Sequence, residues 1–147
     1  MKIDIAKIKR YLNEITRNSN DLKIMISENS LRKDSIELKA AKYLLIELAE
    51  AVSNTLQHML AKEKGVPVSG YIDTISKGNK EGLISDELFQ QLKPFFDFRN
   101  SLIHRYWIID DKKLIENIKA GKEDFDRFVD EIESYLKYHK NVHNKNP

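Results

Sequence analysis

Apolar residues near the start of the chain recur at alternating spacings of three and four, the repeat of one face of an α-helix. The repeating positions are Ile5, Ile8, Leu12, Ile15, Leu22 and Ile26, with Ser19 in the remaining slot. A similar stripe near the end of the chain consists of Phe125, Phe128, Val129, Ile132, Tyr135 and Leu136. With five Gly and three Pro among 147 residues, little room remains for the turns of an all-β fold. The pattern predicts an all-α protein, an antiparallel bundle of about five helices.

A long second helix is predicted in the first half of the chain. Asp34 or Ser35 can cap it, because a short oxygen side chain accepts hydrogen bonds from the free amides of the first turn. Gly65 marks its end, since glycine often follows the last helical residue. Residues 43–52 are apolar on most sides, which indicates a central helix covered by neighbours or by a second subunit. A short third helix is expected near residues 71–77.

The fourth predicted helix starts at Ser85 and contains Pro94. Proline lacks a backbone N–H, so it should kink this helix or split it in two. Asp110 can cap a further short helix before the last one. We expect one helical domain over residues 1–140, followed by a polar, disordered tail over 141–147.

Composition narrows the classes of protein to which the chain can belong. The absence of Cys excludes disulfides, thiolate nucleophiles and Cys-based metal sites. No secretory signal and no run of about 18 apolar residues occur, so we expect a cytoplasmic protein that does not contact the membrane. His139 and His143 have the spacing of two metal ligands on a helix, but without a third ligand nearby we expect no metal and no cofactor. The net charge of +2 requires any RNA contact to be local or shared between chains.

One charged side chain falls in the middle of the apolar face of the fourth helix. With Leu88 at zero on a helical wheel, Arg99 lies at about 20°. The apolar arc around it consists of Leu88, Leu92, Phe95, Phe96, Phe98, Leu102 and Ile103. An unpaired buried guanidinium costs several kcal/mol. Either Arg99 pairs with Glu47 or Glu50 of the second helix, or it lies at a subunit interface or cleft and stabilises charge on a substrate.

Asn100 and His104 lie one turn apart on the opposite, polar side of this helix. His104 is about 140° round the helix from Arg99, so a straight helix does not direct both side chains to one point. Either the helix unwinds before His104, or a two-fold dimer brings the second copy of each residue into a shared cleft. This geometry favours a homodimer.

The same segment reads Arg99-Asn100-x-x-x-His104-x-Tyr106, followed by Trp107 and Asp110. It resembles the Arg-x4-His-x-Tyr signature of the HepT-like toxins in the HEPN superfamily. The length of the chain and the order of its helices agree with that family. A Glu-Ala pair at positions 50 and 51 of the long second helix also agrees with it.

The resemblance implies a metal-independent endoribonuclease that works as a homodimer, with RNA bound between the motif helices of two protomers. His104 is the implied general base or acid, because imidazole titrates near neutral pH. Arg99 is implied to contact phosphate oxygens with its planar fork of donors. Asn100 is implied to orient His104 or the scissile phosphate.

Tyr106 has a separate implied role. In this family the matching tyrosine accepts AMP from a nucleotidyltransferase antitoxin, and bulky anionic groups beside the cleft would repel RNA. Alternatively, Tyr106 and Trp107 form an aromatic pair that packs at the end of the core and has no role in function. Our leading hypothesis is therefore the toxin of a type VII-like toxin–antitoxin pair. The alternative is a non-catalytic helical HEPN subunit that binds a nucleotidyltransferase and uses the motif only to dimerise.

Overall fold

The computed structural model describes residues 2–105 and 110–145, and the side chains of residues 2–101 and 110–139. Its helices are α1 (Ile5–Ser27), α2 (Ile36–Met59), α3 (Gly70–Lys80), α4 (Asp86–Arg105), α5 (Asp111–Ala120) and α6 (Asp124–Lys145). A π-helical turn, Leu60–Lys64, prolongs α2. The all-α prediction is confirmed, and these two ranges contain no strand. The described helices number six rather than about five, and both short helices predicted from the sequence, α3 and α5, are present.

The helix ends follow the capping signals of the sequence. Asp4 caps α1 by accepting from the Lys7 N–H at 3.1 Å. Ser35, the second of the two candidates, caps α2, and Asp110 caps α5. Gly65 ends the π-helical turn with a φ of +62°, a left-handed conformation that glycine adopts without the steric penalty of a Cβ.

The four long helices form a closed ring around the core. Helix α1 packs against α2 and α6, and α4 also packs against α2 and α6. The short α3 braces one side of this ring, where it contacts both α2 and α4. No helix in the described part of the chain is long and apolar enough to cross a bilayer. The central position predicted for α2 is confirmed by its contacts with three other helices.

Pro94 lies inside α4 without splitting it. The helix runs from Asp86 to Arg105 as one element, although Pro94 cannot donate to the carbonyl four residues earlier. The side chains that follow Pro94, Phe95 and Phe96, are both buried, and their packing holds the second half of α4 against the core. Of the two effects predicted for Pro94, a kink or a split, the split is therefore wrong.

The last helix continues beyond the predicted end of the domain. Helix α6 reaches Lys145, which extends it into the segment 141–147 that we expected to be a disordered tail. Side chains after residue 139 lie outside the described residues. The domain boundary at residue 140 stays a prediction.

Candidate functional site

The second half of α4 presents Arg99 at the edge of the core. Leu88, Leu92, Phe95 and Phe96 of the predicted apolar arc are buried, whereas Arg99 is half-buried. Nη1 of Arg99 donates a hydrogen bond of 3.3 Å to Oδ1 of Asn100. Two of the predicted site residues therefore touch each other directly.

Arg99 has no carboxylate partner among the described side chains. The ion pairs in this part of the chain involve Lys23, Lys42, Lys77 and Arg127. Nε of Arg99 is buried, and it has no hydrogen-bond partner there. The structure thus pairs Arg99 with neither Glu47 nor Glu50, which were the candidates for an internal ion pair.

An aromatic ring takes the place that a carboxylate would occupy. Cζ of Arg99 lies 3.6 Å from the centre of the Tyr71 ring, which is van der Waals contact and a strong cation–π geometry. The Tyr71 ring also lies 6.5 Å from the Phe96 ring, centre to centre, at an angle of 51°. Sequence reasoning missed Tyr71, because it belongs to another helix and no spacing rule links it to α4.

The start of α3 holds Tyr71 through a local set of polar contacts. Gly70 has a φ of +82°, a conformation that favours glycine. The Ser69 N–H donates to a carboxylate oxygen of Asp73 at 2.8 Å, and Lys77 pairs with the same oxygen at 3.1 Å. The Ser69 N–H, and then Lys77, hold the pKa of Asp73 below its ordinary value. Lys77 also donates to the Pro67 carbonyl, so the loop before Tyr71 is tied to the helix that follows.

A second set of contacts ties α3 to α2. The buried Thr74 hydroxyl donates to the Gly70 carbonyl at 2.7 Å. Nε2 of Gln57 lies 3.5 Å from Oγ1 of Thr74 and 3.1 Å from Oγ of Ser53. Gln57 lies on α2. Its contact with Thr74 ties α2 to α3, the helix that carries Tyr71.

The remaining motif residues are described only in part. The backbone of His104 lies in α4, whereas its side chain, Tyr106 and Trp107 lie outside the described residues. Because α4 is helical through Arg105, the helix does not unwind before His104. Of the two arrangements that could bring Arg99 and His104 together, unwinding is therefore excluded.

The side chain of His58 contacts the chain segment just before α1. Its Nε2 accepts from the backbone N–H of Asp4 at 2.9 Å. Burial, and then the charge of Lys7, lower the pKa of His58 below its ordinary value, in agreement with a neutral ring that accepts this bond. His58 therefore links the end of α2 to the start of α1.

A groove with a volume of about 760 Å³ lies elsewhere, between the α3–α4 connection and α6. Its lining includes Tyr135 and Tyr138 together with the carboxylates Asp86, Asp130 and Glu131. Acidic side chains repel phosphate, so this groove does not suit an RNA backbone. Over the part of the chain that the structure describes, no group of three or more His, Asp or Glu side chains could hold a metal ion. We therefore place the candidate site at Arg99.

Comparisons with known proteins agree with the motif. A family model described as ribonuclease HepT-like matches residues 1–132. A tRNA nuclease HepT of Aphanizomenon flos-aquae is 25% identical over 129 residues, which cover 88% of this chain and 84% of the relative.

Solved structures show the same helical fold. The Bacillus subtilis protein YutE, a cytosolic protein of unknown function, superposes with a TM-score of 0.80 and 22% identity, over 93% of each chain. A tri-AMPylated HEPN toxin of Shewanella oneidensis, solved in complex with MNT antitoxin, superposes with a TM-score of 0.78 and 19% identity. That match covers 87% of this chain and 97% of the toxin chain. The fold is HEPN-like.

Proposed function

The chain belongs to the ribonuclease HepT-like family, and from this premise we propose that it is a metal-independent endoribonuclease, the toxin of a toxin–antitoxin pair. Arg99 and His104 are the proposed catalytic residues, and Asn100 supports them. Transfer RNA is the first substrate class to test, because a relative that covers most of the chain is a tRNA nuclease.

The observation that carries this proposal is the half-buried Arg99 without a carboxylate among the described side chains. A cation that gives up water normally gains an anion in exchange, because desolvation otherwise costs several kcal/mol. Tyr71 offsets part of that cost but leaves the charge of Arg99 in place. A phosphate oxygen would supply the missing anion, and the guanidinium fork matches its geometry.

The proposed active unit is a homodimer. On the continuous helix α4, Arg99 and His104 leave the axis about 140° apart. A two-fold axis beside α4 would place Arg99 of one protomer opposite His104 of its partner. RNA would then lie in a cleft between the two α4 helices, where both protomers contribute to each site.

The proposed reaction is an internal phosphoryl transfer. His104 accepts the proton of a ribose 2′-OH while the 2′ oxygen attacks the adjacent phosphorus. Arg99 stabilises the negative charge that builds on the phosphorane oxygens. The bond from phosphorus to the 5′ oxygen breaks, and that oxygen takes up a proton. The products are a 2′,3′-cyclic phosphate and a 5′-hydroxyl, so no water or cofactor is consumed in the step.

A cleavage assay with total tRNA tests this function. We expect purified protein to cut tRNA equally well with and without excess EDTA, because the proposed groups are all protein side chains. His104→Ala should abolish cutting while the helical circular dichroism spectrum stays unchanged. Loss of activity with EDTA would contradict the metal-free mechanism. A parent protein that binds a nucleotidyltransferase but cuts no RNA would favour the non-catalytic alternative.

Tyr106 is the proposed site of control, through transfer of AMP from a nucleotidyltransferase antitoxin. The Shewanella toxin with the same fold carries three AMP groups in its complex. Tyr106→Phe removes the hydroxyl that would be modified, and we expect this variant to cut RNA at the parental rate. Incubation with a nucleotidyltransferase antitoxin and ATP should then silence the parent but not the variant. Equal silencing of both proteins would remove the assigned role of Tyr106.

A further inference from the structure

We propose that Tyr71 is a positioning residue for the nuclease site and that its ring holds Arg99 ready for phosphate. The inference rests on the proposed function, because it assigns a role toward the same reaction. Tyr71 lies on α3, outside the Arg-x4-His-x-Tyr motif. It would act through Arg99 and does not itself touch the reacting atoms.

Tyr71 supports the Arg99 guanidinium without neutralising its charge. A carboxylate beside Arg99 would hold the guanidinium by neutralising it, and it would occupy the donors that a phosphate needs. An aromatic ring attracts the same cation through its negative face but carries no net charge. With Cζ at 3.6 Å from the ring centre, Arg99 is supported on one face and keeps its full positive charge.

The Tyr71 ring occupies a prepared position, which gives it the rigidity that a positioning residue requires. Gly70, with its positive φ, starts α3 immediately before Tyr71, and Asp73 receives the Ser69 N–H just before that start. The ring also lies 6.5 Å from the Phe96 ring, centre to centre, and Phe96 is fully buried. The support under Arg99 therefore comes from a different helix than Arg99 itself.

The orientation of Arg99 is also limited by its own atoms. Nη1 contacts Asn100, and the buried Nε has no partner in the described part of the chain. Among the described side chains, the Tyr71 ring and one hydrogen bond of 3.3 Å to Asn100 are the cation–π and polar contacts that hold the guanidinium in place. Removal of the ring should let the guanidinium turn toward water and away from the phosphate position.

Steady-state kinetics of Tyr71→Leu and Tyr71→Phe test the proposal. Tyr71→Leu keeps an apolar side chain but no π face, and we expect kcat for RNA cleavage to fall by about 10- to 100-fold, with KM changed less. Tyr71→Phe keeps the ring and should restore at least half of the parental kcat. Tyr43→Leu is the matched control, because Tyr43 is 62% exposed on α2, and its rate should equal that of the parent.

A double variant separates positioning from general stability. If the ring acts only through Arg99, Tyr71→Leu should cost nothing further in an Arg99→Ala background. A further loss there, or a Tyr71→Leu variant as active as the parent, would overturn the proposal. Equal loss in Tyr71→Phe and Tyr71→Leu would overturn it too, since the hydroxyl would then be the functional group.

Folding and function are controlled separately. Circular dichroism and melting temperature are measured for each variant, and Tyr71→Met replaces Tyr71→Leu if the latter does not fold. If the proposed function itself is wrong, Arg99→Ala will cut RNA as fast as the parent, and this result differs from a failure of the Tyr71 proposal alone. An active parent, a strongly slowed Arg99→Ala and an unaffected Tyr71→Leu would refute only the role of Tyr71.

Discussion

Arg99→Ala is expected to lower kcat for RNA cleavage by about 10²- to 10³-fold, the usual effect of removing one preorganised donor to a charged transition state. The reason lies in the charge balance around the guanidinium. Arg99 is half-buried and contacts the Tyr71 ring, with no carboxylate partner among the described side chains, so its charge is available to a substrate. KM should rise less than kcat falls, because negative charge on the phosphate increases in the transition state. The measurement is a time course of cleavage of a single labelled tRNA.

Two further substitutions test whether the effect depends on the charge and the shape of the Arg99 side chain. Arg99→Lys keeps the charge but loses the planar fork, and we expect an intermediate rate. Arg17 on α1 is exposed, and Arg17→Ala is a control for loss of one positive charge outside the motif. If Arg99→Ala cuts RNA within about three-fold of the parent, the proposed role of Arg99 in transition-state stabilisation is wrong. If Arg99→Ala and Arg17→Ala change the melting temperature by the same amount, a difference between their cleavage rates cannot be due to stability.

A mixed dimer of Arg99→Ala and His104→Ala subunits is expected to recover about half of the parental activity, although Arg99→Ala alone is at least about 100-fold slower than the parent and His104→Ala alone is inactive. In a two-fold dimer whose sites join Arg99 of one protomer with His104 of its partner, such a pair keeps one complete site and one doubly defective site. Two affinity tags allow the mixed pairs to be purified after co-expression. The measurement compares the cleavage rate of the mixed dimer with the rates of the Arg99→Ala and His104→Ala dimers.

The outcome of the mixed-dimer experiment depends on whether each site combines residues of one protomer or of two. If each site used Arg99 and His104 of the same protomer, both sites of a mixed pair would be defective and no activity would return. Sedimentation of the parent protein provides the matching physical test, because a monomer at assay concentration would exclude a shared cleft. Mixed pairs of two Arg99→Ala subunits carrying the two tags serve as the inactive reference.

The fold was largely predictable from the sequence because its signals are local. Side-chain oxygens at Asp4, Ser35 and Asp110 cap helices, and Gly65 ends the extended second helix. Each of these effects acts within one helical turn. The sequence left open whether Pro94 kinks or splits the fourth helix, because the loss of one backbone hydrogen bond is local, whereas the burial of Phe95 and Phe96 depends on other helices.

The candidate site was predictable only along α4. Periodicity located Arg99 on the apolar arc and Asn100 on the opposite, polar side, and it did not indicate the hydrogen bond between their side chains. What surrounds Arg99 was not predictable, because charge pairing suggested Glu47 or Glu50, and the structure supplies Tyr71 instead. Contacts between helices depend on how the helices are rotated against one another, and a single sequence contains no direct signal for that rotation.

The unbroken course of α4 through Arg105 has a consequence for dosage. If the two reactive groups meet only between copies, a lone newly made chain is harmless. At low abundance the amount of active enzyme would then grow with the square of the chain concentration. A cell would tolerate slow leakage of such a gene and still respond sharply to a burst of its expression.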